Sequence, residues 1–431
     1  MKIREFINNN LLFKVTSANT LLVFTRMGFS LISQKVLAIL IGAEGIALVG
    51  NLKNVISFFE QFSVLGTSNG LIKFISQYKN DKIQLKNLFS TTFIFAAIAT
   101  LVSFLVLFFC SSVLNDFIFG TNYSYAYIFK ILSFIVPFIS LNAILYALLN
   151  GLSSYKLYSK LTFITIVVST VVIIALTYYY GIRGALLAVI TIPIIQFLTY
   201  FIFFGNSHKP YFNFRKLSFS LDFKNQLLSY SFMTIIVILG INLTDIAIRN
   251  LIENRLNISE AGYWTAMASI SKTYMQFPAA IFPLYILPRY AKINNTFTFR
   301  NEVKKIYKLL LPLIVVGMIL VFLFRNLIIQ LLYTEEFLVI ESFFKWQLMG
   351  DLMKFIAIVI SYQFLAKKQI GYYIFTELLS VILFYVFSVY FIDLYDTEGI
   401  VMAHFVRYIL YFLVVLVILR NNFISRRNIS I

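Results

Sequence analysis

The amino-acid sequence predicts an all-α polytopic membrane protein, with twelve transmembrane helices in two six-helix lobes around a central cavity. Three observations predict it. Apolar stretches of about 20 residues or more follow one another almost end to end, and a bilayer core about 30 Å thick needs that length for each helical crossing. The 431 residues are 60% hydrophobic and only 13% charged, with a mean hydropathy of +0.85, far from soluble globular composition. The 36 Lys and Arg are also sorted by side. With the N-terminus placed in the cytoplasm, 24 of them fall on the cytoplasmic face and 6 on the opposite face. That bias obeys the positive-inside rule, with both termini cytoplasmic and an even number of crossings.

The elements follow in order. The first apolar segment, about 14–40, is too long for a signal-peptide core and lacks a small-residue cleavage site, so it is read as a helix. The second, about 46–75, opens at Glu44-Gly45 and leaves through Lys79, Lys82 and Lys86. Helices at about 87–110 and 125–149 flank an outer turn carrying Asp116, and those at about 158–179 and 183–205 flank Arg183. The stretch HKPYFNFRKLSFSLDFK is the longest polar interruption near the middle. It divides the chain into a six-helix lobe at 1–207, a cytoplasmic linker at 208–224 and a second six-helix lobe at 225–431.

The second lobe repeats the pattern, with helices at about 226–249, 260–288, 306–325, 340–366, 371–392 and 398–420. Its outer turns carry Glu253, Glu335, Glu336 and Asp393, and its inner turns Arg289, Lys304 and Lys367. Glu260-Ala261-Gly262 opens its second helix as Glu44-Gly45 does in the first lobe, and Gln61-Phe62 recurs as Gln276-Phe277, 215 positions on. Parallel repeats related by an axis along the membrane normal are a common transporter construction.

Several function classes fall away. No G-x-x-x-x-G-K-[ST] run occurs, so ATP is not hydrolysed through a P-loop. Cys110 is the single cysteine and the histidines are His208 and His404 alone, so no metal site or cofactor is expected. The basic excess belongs to topology and anionic headgroups rather than to nucleic acid. No segment outside the membrane is long enough for a folded catalytic domain, which argues against an enzyme.

Ten ionisable residues lie inside the apolar segments: Arg26, Lys35, Lys53, Glu60, Asp245, Lys272, Asp351, Lys354, Glu377 and Arg407. A charge at a helix centre costs about 2.5–3.5 kcal/mol on insertion scales, so each must face a polar interior or a partner. Six are basic and four acidic, which implies a net positive cavity. Arg26 either lines that cavity or pairs with Glu60. Lys35, near the outer end, either lines it or snorkels to the interface. Asp351 and Lys354, three apart, can satisfy each other, and Glu377 can pair with Arg407. Asp245 is expected at a solvated rim. Pro278, Pro283 and Pro288 crowd one helix beside Lys272 and read either as a gating hinge or as a static kink.

The runs QKVLAILIGAEGIALVGNLKNV at 34–55, EAGYWTAMASISKTYMQF at 260–277, YILPRYAKI at 285–293, WQLMGDLMKF at 346–355 and YYIFTELLSV at 372–381 carry a family resemblance. Over nearly its whole length the chain resembles the Wzx-type flippases of the multidrug/oligosaccharidyl-lipid/polysaccharide exporter superfamily, and among them the branch serving enterobacterial common antigen synthesis. Arg26, Lys35, Lys53, Asp351, Lys354 and Glu377 match the family's pattern, whereas Lys272 and Arg407 depart from it. The resemblance implies twelve helices in two lobes around a V-shaped cavity. It also implies a multi-pass protein of the bacterial inner membrane that moves undecaprenyl-pyrophosphate-linked oligosaccharide, such as an O-antigen unit, from the cytoplasmic to the periplasmic leaflet. Implied partners are the lipid-linked oligosaccharide, membrane lipids, and a polysaccharide polymerase with its chain-length regulator.

The residues agree with that expectation. Lys and Arg suit phosphate oxygens through charge-assisted hydrogen bonds, so Arg26, Lys53, Lys272 and Arg407 are the expected substrate contacts. Lys35, Glu60, Asp351, Lys354 and Glu377 are the expected structural or coupling charges. A cation-coupled multidrug exporter of the same superfamily is the alternative, and would favour an acidic cavity. A membrane glycan polymerase or ligase is a further one, and would need a catalytic cluster at the outer face.

Overall fold

The computed structural model describes residues 11–152, 154–203 and 220–424, with side chains at 11–27, 155, 156, 229, 230, 280, 284, 421 and 424 outside the description. Helix follows helix throughout, and no strand is found among the described residues. Among the described residues, eight helices are long and apolar enough to cross a membrane.

Helix α1 is Leu11–Phe62, α2 Ser68–Tyr78, α3 Lys82–Phe109, α4 Ser111–Phe119, α5 Ala126–Gly151 and α6 Tyr155–Phe203. Helix α7 is Lys224–Arg255, α8 Ile258–Tyr274 and α9 Gln276–Ile281. A π-helical turn, Phe282–Ile286, leads into α10, Leu287–Lys292. Helix α11 is Thr296–Leu323 and α12 Arg325–Leu332, and a 3₁₀ segment, Glu335–Ser342, precedes α13, Phe343–Ala366. Helices α14, Ile370–Ile418, and α15, Arg420–Ile424, close the described chain.

Three of these helices are too long to be single crossings. A straight helix of 49 residues, the length of α6 and of α14, would run about 75 Å at 1.5 Å per residue, more than twice the bilayer core. Each is broken in its interior. The breaks are Gly42 in α1 (φ 59°, ψ −165°), Gly181 in α6 (φ 57°, ψ −136°) and Asp396 in α14 (φ 49°, ψ −140°). This backbone region is nearly reserved for glycine, and one residue in it is enough to turn the chain back on itself.

Two of the breaks recur at equivalent positions. Helices α6 and α14 begin, break and end 215 positions apart, at Tyr155 and Ile370, Gly181 and Asp396, Phe203 and Ile418. Helices α3 and α11 are both 28 residues long, 214 positions apart. Asp81 caps the first by accepting from the amides of Ile83 and Gln84, and Asn295 caps the second by accepting from that of Thr298. Each of the two ends in one bent residue, Cys110 (φ −96°, ψ 16°) and Phe324 (φ −95°, ψ 13°), before a short helix. A Cβ on Gly184 would meet the Leu176 carbonyl oxygen at 1.8 Å, and one on Gly399 would meet the Phe391 carbonyl oxygen at 2.2 Å, again 215 apart. The Gln-Phe echo is therefore part of a backbone duplication.

Some predicted boundaries shift for local reasons. The helix expected at 46–75 stops at Phe62, because Leu65 (φ 49°) and Gly66 (φ 66°) turn the chain before α2. The helices expected from 87 and 306 begin earlier, at the Asp81 and Asn295 caps. The single helix expected at 260–288 is interrupted after Tyr274 and again by the π turn holding Pro283.

By packing, the described chain divides into two units. One is Leu48–Ile246; the other joins the described residues up to Ala47 with those from Ala247 onward. The first has a core of Leu71, Phe74, Leu88, Phe89, Ala147, Leu148 and Phe223. The second is centred on Phe282, Tyr290, Phe299, Phe355, Phe364 and Tyr411. Within that second unit Lys35 donates to the carbonyls of Gln330 and Tyr333 at the end of α12, where helix carbonyls lack intrahelical partners. The predicted linker at 208–224 lies mostly outside the described residues.

Asp396→Gly is expected to stabilise the protein by about 1 kcal/mol, because glycine holds this conformation without a side-chain penalty. Gly181→Asp is expected to cost about 1–3 kcal/mol. Unfolding in detergent micelles checks both signs.

Candidate functional site

A buried polar cluster of the second unit is built by α8, α13 and α14. Asp351, fully buried on α13, accepts from Ser271 Oγ at 2.6 Å, Tyr274 OH at 2.5 Å and Gln347 Nε2 at 3.3 Å. Its other oxygen lies 3.0 Å from His404 Nε2. A carboxylate taken out of water must recover its lost hydration from protein donors, and four side chains supply them here. The expected pairing with Lys354 is thus not what satisfies Asp351, although the Lys354 charge still acts on it.

His404 is held on every side. Its ring packs edge-on against Phe384 and Tyr408, with centroids 5.9 and 5.1 Å away. Gly350 lies so close that a Cβ there would meet His404 Cδ2 at 2.4 Å.

One turn further on lie the cations. The Arg407 guanidinium is sandwiched between the rings of Phe384 and Tyr408, 4.1 and 4.4 Å from their centroids, and Nη2 donates to Tyr408 OH at 3.0 Å. Its buried Nε has no acceptor among the described residues. The Lys354 ammonium sits 5.7 Å from the centroid of the same Tyr408 ring. Aromatic faces hold a cation through their quadrupole without neutralising it. Tyr408 therefore gathers two positive charges at one ring. Glu377 accepts from Tyr411 OH at 3.1 Å. Among the described residues no ion pair joins Glu377 to Arg407, which corrects the expected pairing, though both Arg407 and Lys354 act on it through space.

The remaining predicted residues are spread out. Arg26 has its side chain outside the described residues. Lys53 is exposed on α1 in the first unit, and Glu60 lies in the same unit beside a cavity. Lys272 is exposed on α8, one residue after Ser271. Asp245 belongs to the first unit. Pro278 lies in α9, Pro283 in the π turn and Pro288 at the start of α10. A π turn widens a helix and frees its carbonyls, so this segment is a series of short pieces in place of one bent rod.

His404, Tyr408 and Tyr411 were not anticipated. With Arg407 they follow the 3–4 spacing of one helix face, a signal present in the sequence but obscured because α14 is apolar on all sides.

Comparison with known proteins gives the cluster its setting. A family described as "polysaccharide biosynthesis protein" matches residues 12–294. The lipid III flippases of Escherichia coli (strain K12) and Shigella flexneri are each 27% identical over 402 residues, covering 92% of this chain and 94% of theirs. Among solved structures, a multidrug resistance MATE family transporter of the MOP superfamily, in an inward-facing conformation, superposes with a TM-score of 0.73 at 16% identity, over 94% of this chain and 96% of its own. A lipid II flippase in an inward closed conformation gives a TM-score of 0.70 at 17% identity, over 93% and 87%. These relatives are named as flippases or transporters, none as an enzyme.

Gly350→Ala is expected to push His404 off Asp351 and leave part of a buried carboxylate unsatisfied, at a cost of about 1–3 kcal/mol. Denaturant unfolding in mixed micelles is the measurement.

Proposed function

Because the chain belongs to the polysaccharide biosynthesis protein family, we propose that it is a flippase that carries undecaprenyl-pyrophosphate-linked oligosaccharide, an O-antigen or related surface-polysaccharide unit, across the bacterial inner membrane. The observation that carries the reading is the convergence of Lys354 and Arg407 on the Tyr408 ring. Two cations brought to one ring are costly inside a bilayer, and a pyrophosphate is an anion whose charge suits such a site. Its oxygens accept from the ammonium and from the guanidinium, whose Nε still lacks an acceptor.

A pyrophosphate-sugar head cannot enter hydrocarbon alone, because its charges and hydroxyls would lose their water. A hydrated basic surface replaces those interactions while the polyprenyl tail stays among lipids. The membrane potential, negative inside, then favours outward movement by about 2.3 kcal/mol per charge per 100 mV. Asp351, saturated by Ser271, Tyr274, Gln347 and His404, ties α8, α13 and α14 together beneath the cations.

The reading extends to topology. If each of α1, α6 and α14 counts as two crossings and the broken run from α8 to α10 as one more, the eight long helices become twelve, in two six-helix lobes. Both termini are cytoplasmic in that arrangement, as the basic residues require. Arg26 and Lys53 are further proposed contacts, and the Pro278–Pro288 segment is the proposed hinge for alternating access.

Lys354→Gln and Arg407→Gln are each expected to slow transfer of a labelled undecaprenyl-pyrophosphate oligosaccharide by roughly tenfold or more, the scale of a lost hydrogen bond to a charged group. The assay follows accessibility of the label to an impermeant quencher in liposomes. Full transfer by both variants, correctly inserted, would sink the assignment.

A further inference from the structure

The first unit contains a cavity of about 260 Å³ lined by Glu60, Gln61, Asn142, Tyr146, Pro193 and Gln196, among others. Its position in the duplicated backbone is informative. Gln61 corresponds to Gln276, Pro193 to Tyr408 and Gln196 to Tyr411, each 215 positions on; Ile139, which also lines it, corresponds to Lys354. The cavity therefore occupies, in the first repeat, the place that the Lys354–Tyr408 cluster occupies in the second. The backbone is shared and the chemistry is inverted.

The hydrogen bonds define what the cavity accepts. Asn142, only 5% exposed, spends its Nδ2 on the Pro193 carbonyl at 2.8 Å. Its Oδ1 is buried with no donor among the described residues. Gln196 spends its Nε2 on Tyr200 OH at 3.1 Å, so its carbonyl oxygen remains as an acceptor. Pro193 has no N–H to give. The Glu60 carboxylate adds acceptor capacity and a negative charge, with no ion pair among the described residues. The buried Asn142 oxygen lacks a donor among the described residues and the Glu60 carboxylate lies beside it in the lining, so the cavity suits a ligand that brings O–H or N–H groups. An anion such as phosphate is excluded by charge.

Size decides between the remaining ligands. At about 30 Å³ per water the space equals about nine waters, far more than a single desolvated metal ion fills. A pyranose ring fills it, supplies several hydroxyl donors, and can lay its apolar face on the Tyr146 ring. We propose that this cavity binds a sugar residue of the transported glycan, with Glu60, Asn142 and Gln196 accepting from its hydroxyl or acetamido groups. The assignment of a glycan as cargo rests on the flippase reading; sugar binding itself does not.

Two measurements test it. In proteoliposomes, transfer is compared for undecaprenyl pyrophosphate bearing a short N-acetylhexosamine-containing oligosaccharide and for the same lipid without sugar. Glu60→Leu and Gln196→Leu are expected to slow the sugar-bearing lipid roughly tenfold or more and to leave the bare lipid unchanged. Glu60→Gln, which keeps one acceptor, is expected to fall between. Equal loss on both lipids, no loss on either, or a loss that tracks sodium concentration in place of the sugar would overturn the proposal. Saturation-transfer NMR with the free oligosaccharide on detergent-solubilised protein gives the second readout. Saturation of the sugar by the wild type but not by Glu60→Leu supports the site, and equal saturation overturns it. If the wild type moves neither lipid yet saturates the sugar, the flippase reading falls and the sugar site stands.

Discussion

Hydrocarbon offers no hydrogen bonds, so a chain placed in it must satisfy its own polar groups. Most of this structure follows from that constraint. Backbone amides and carbonyls are absorbed by helices, and the unavoidable ends receive named partners. Asp81 and Asn295 take the first amides of two equivalent helices, and Lys35 takes the last carbonyls of α12. The turns of α1, α6 and α14 are each made at one residue of unusual φ, which keeps the length of backbone without helical bonds to a minimum. Charges obey the same constraint in two ways. Asp351 is surrounded by donors until nothing more is required of it, whereas Arg407 and Lys354 are held by aromatic faces that leave their charge intact. The first arrangement ties three helices together; the second brings two cations to one ring.

Duplication explains why backbone and chemistry can be read separately. Helices α3 and α11 agree in length, α6 and α14 agree in start, break and end, and Gly184 and Gly399 make the same close approach. These features define the scaffold and vary little between the copies. Residues that face polar space differ in kind: isoleucine against lysine at 139 and 354, proline against tyrosine at 193 and 408. Asp396 is the informative exception. It keeps a conformation in which its counterpart is glycine, so the turn persists against the residue's own preference.

Hydropathy made the fold class legible, because nothing but a bilayer tolerates so many apolar segments in one chain. Charges inside those segments were legible for the same reason, and Lys354, Arg407 and Glu377 do gather in one unit. Their companions were not. His404, Tyr408 and Tyr411 carry a helical spacing, but a stripe has no contrast on a helix that is apolar all round. The break at Asp396 was invisible because aspartate does not advertise a left-handed φ as glycine does. Boundaries at 62 and 82 depended on Leu65-Gly66 and on a capping aspartate, local signals that hydropathy averages away. The spare acceptor of Asn142 could not be read at all, since it exists only because the Pro193 carbonyl, 51 positions away, claims the amide nitrogen.

A lipid-linked oligosaccharide is chemically uneven, with an anionic pyrophosphate beside neutral, hydroxyl-rich sugars. A protein built from two identical halves would present the same chemistry twice and would suit only one of these parts. Once duplicated, the equivalent positions were free to diverge while the scaffold that supports them stayed fixed. Cations on aromatic faces in the second repeat match the pyrophosphate by charge. Surplus acceptors beside a carboxylate in the first repel that pyrophosphate and favour hydroxyls. The repulsion matters as much as the attraction, because specificity is a difference between affinities. An anion that entered the first site would leave Glu60 beside a like charge, and a bare sugar at the second would bring no charge to match Arg407 and Lys354. On the proposed reading, opposed chemistry at equivalent positions would let each repeat take the part of such a headgroup that its own residues suit.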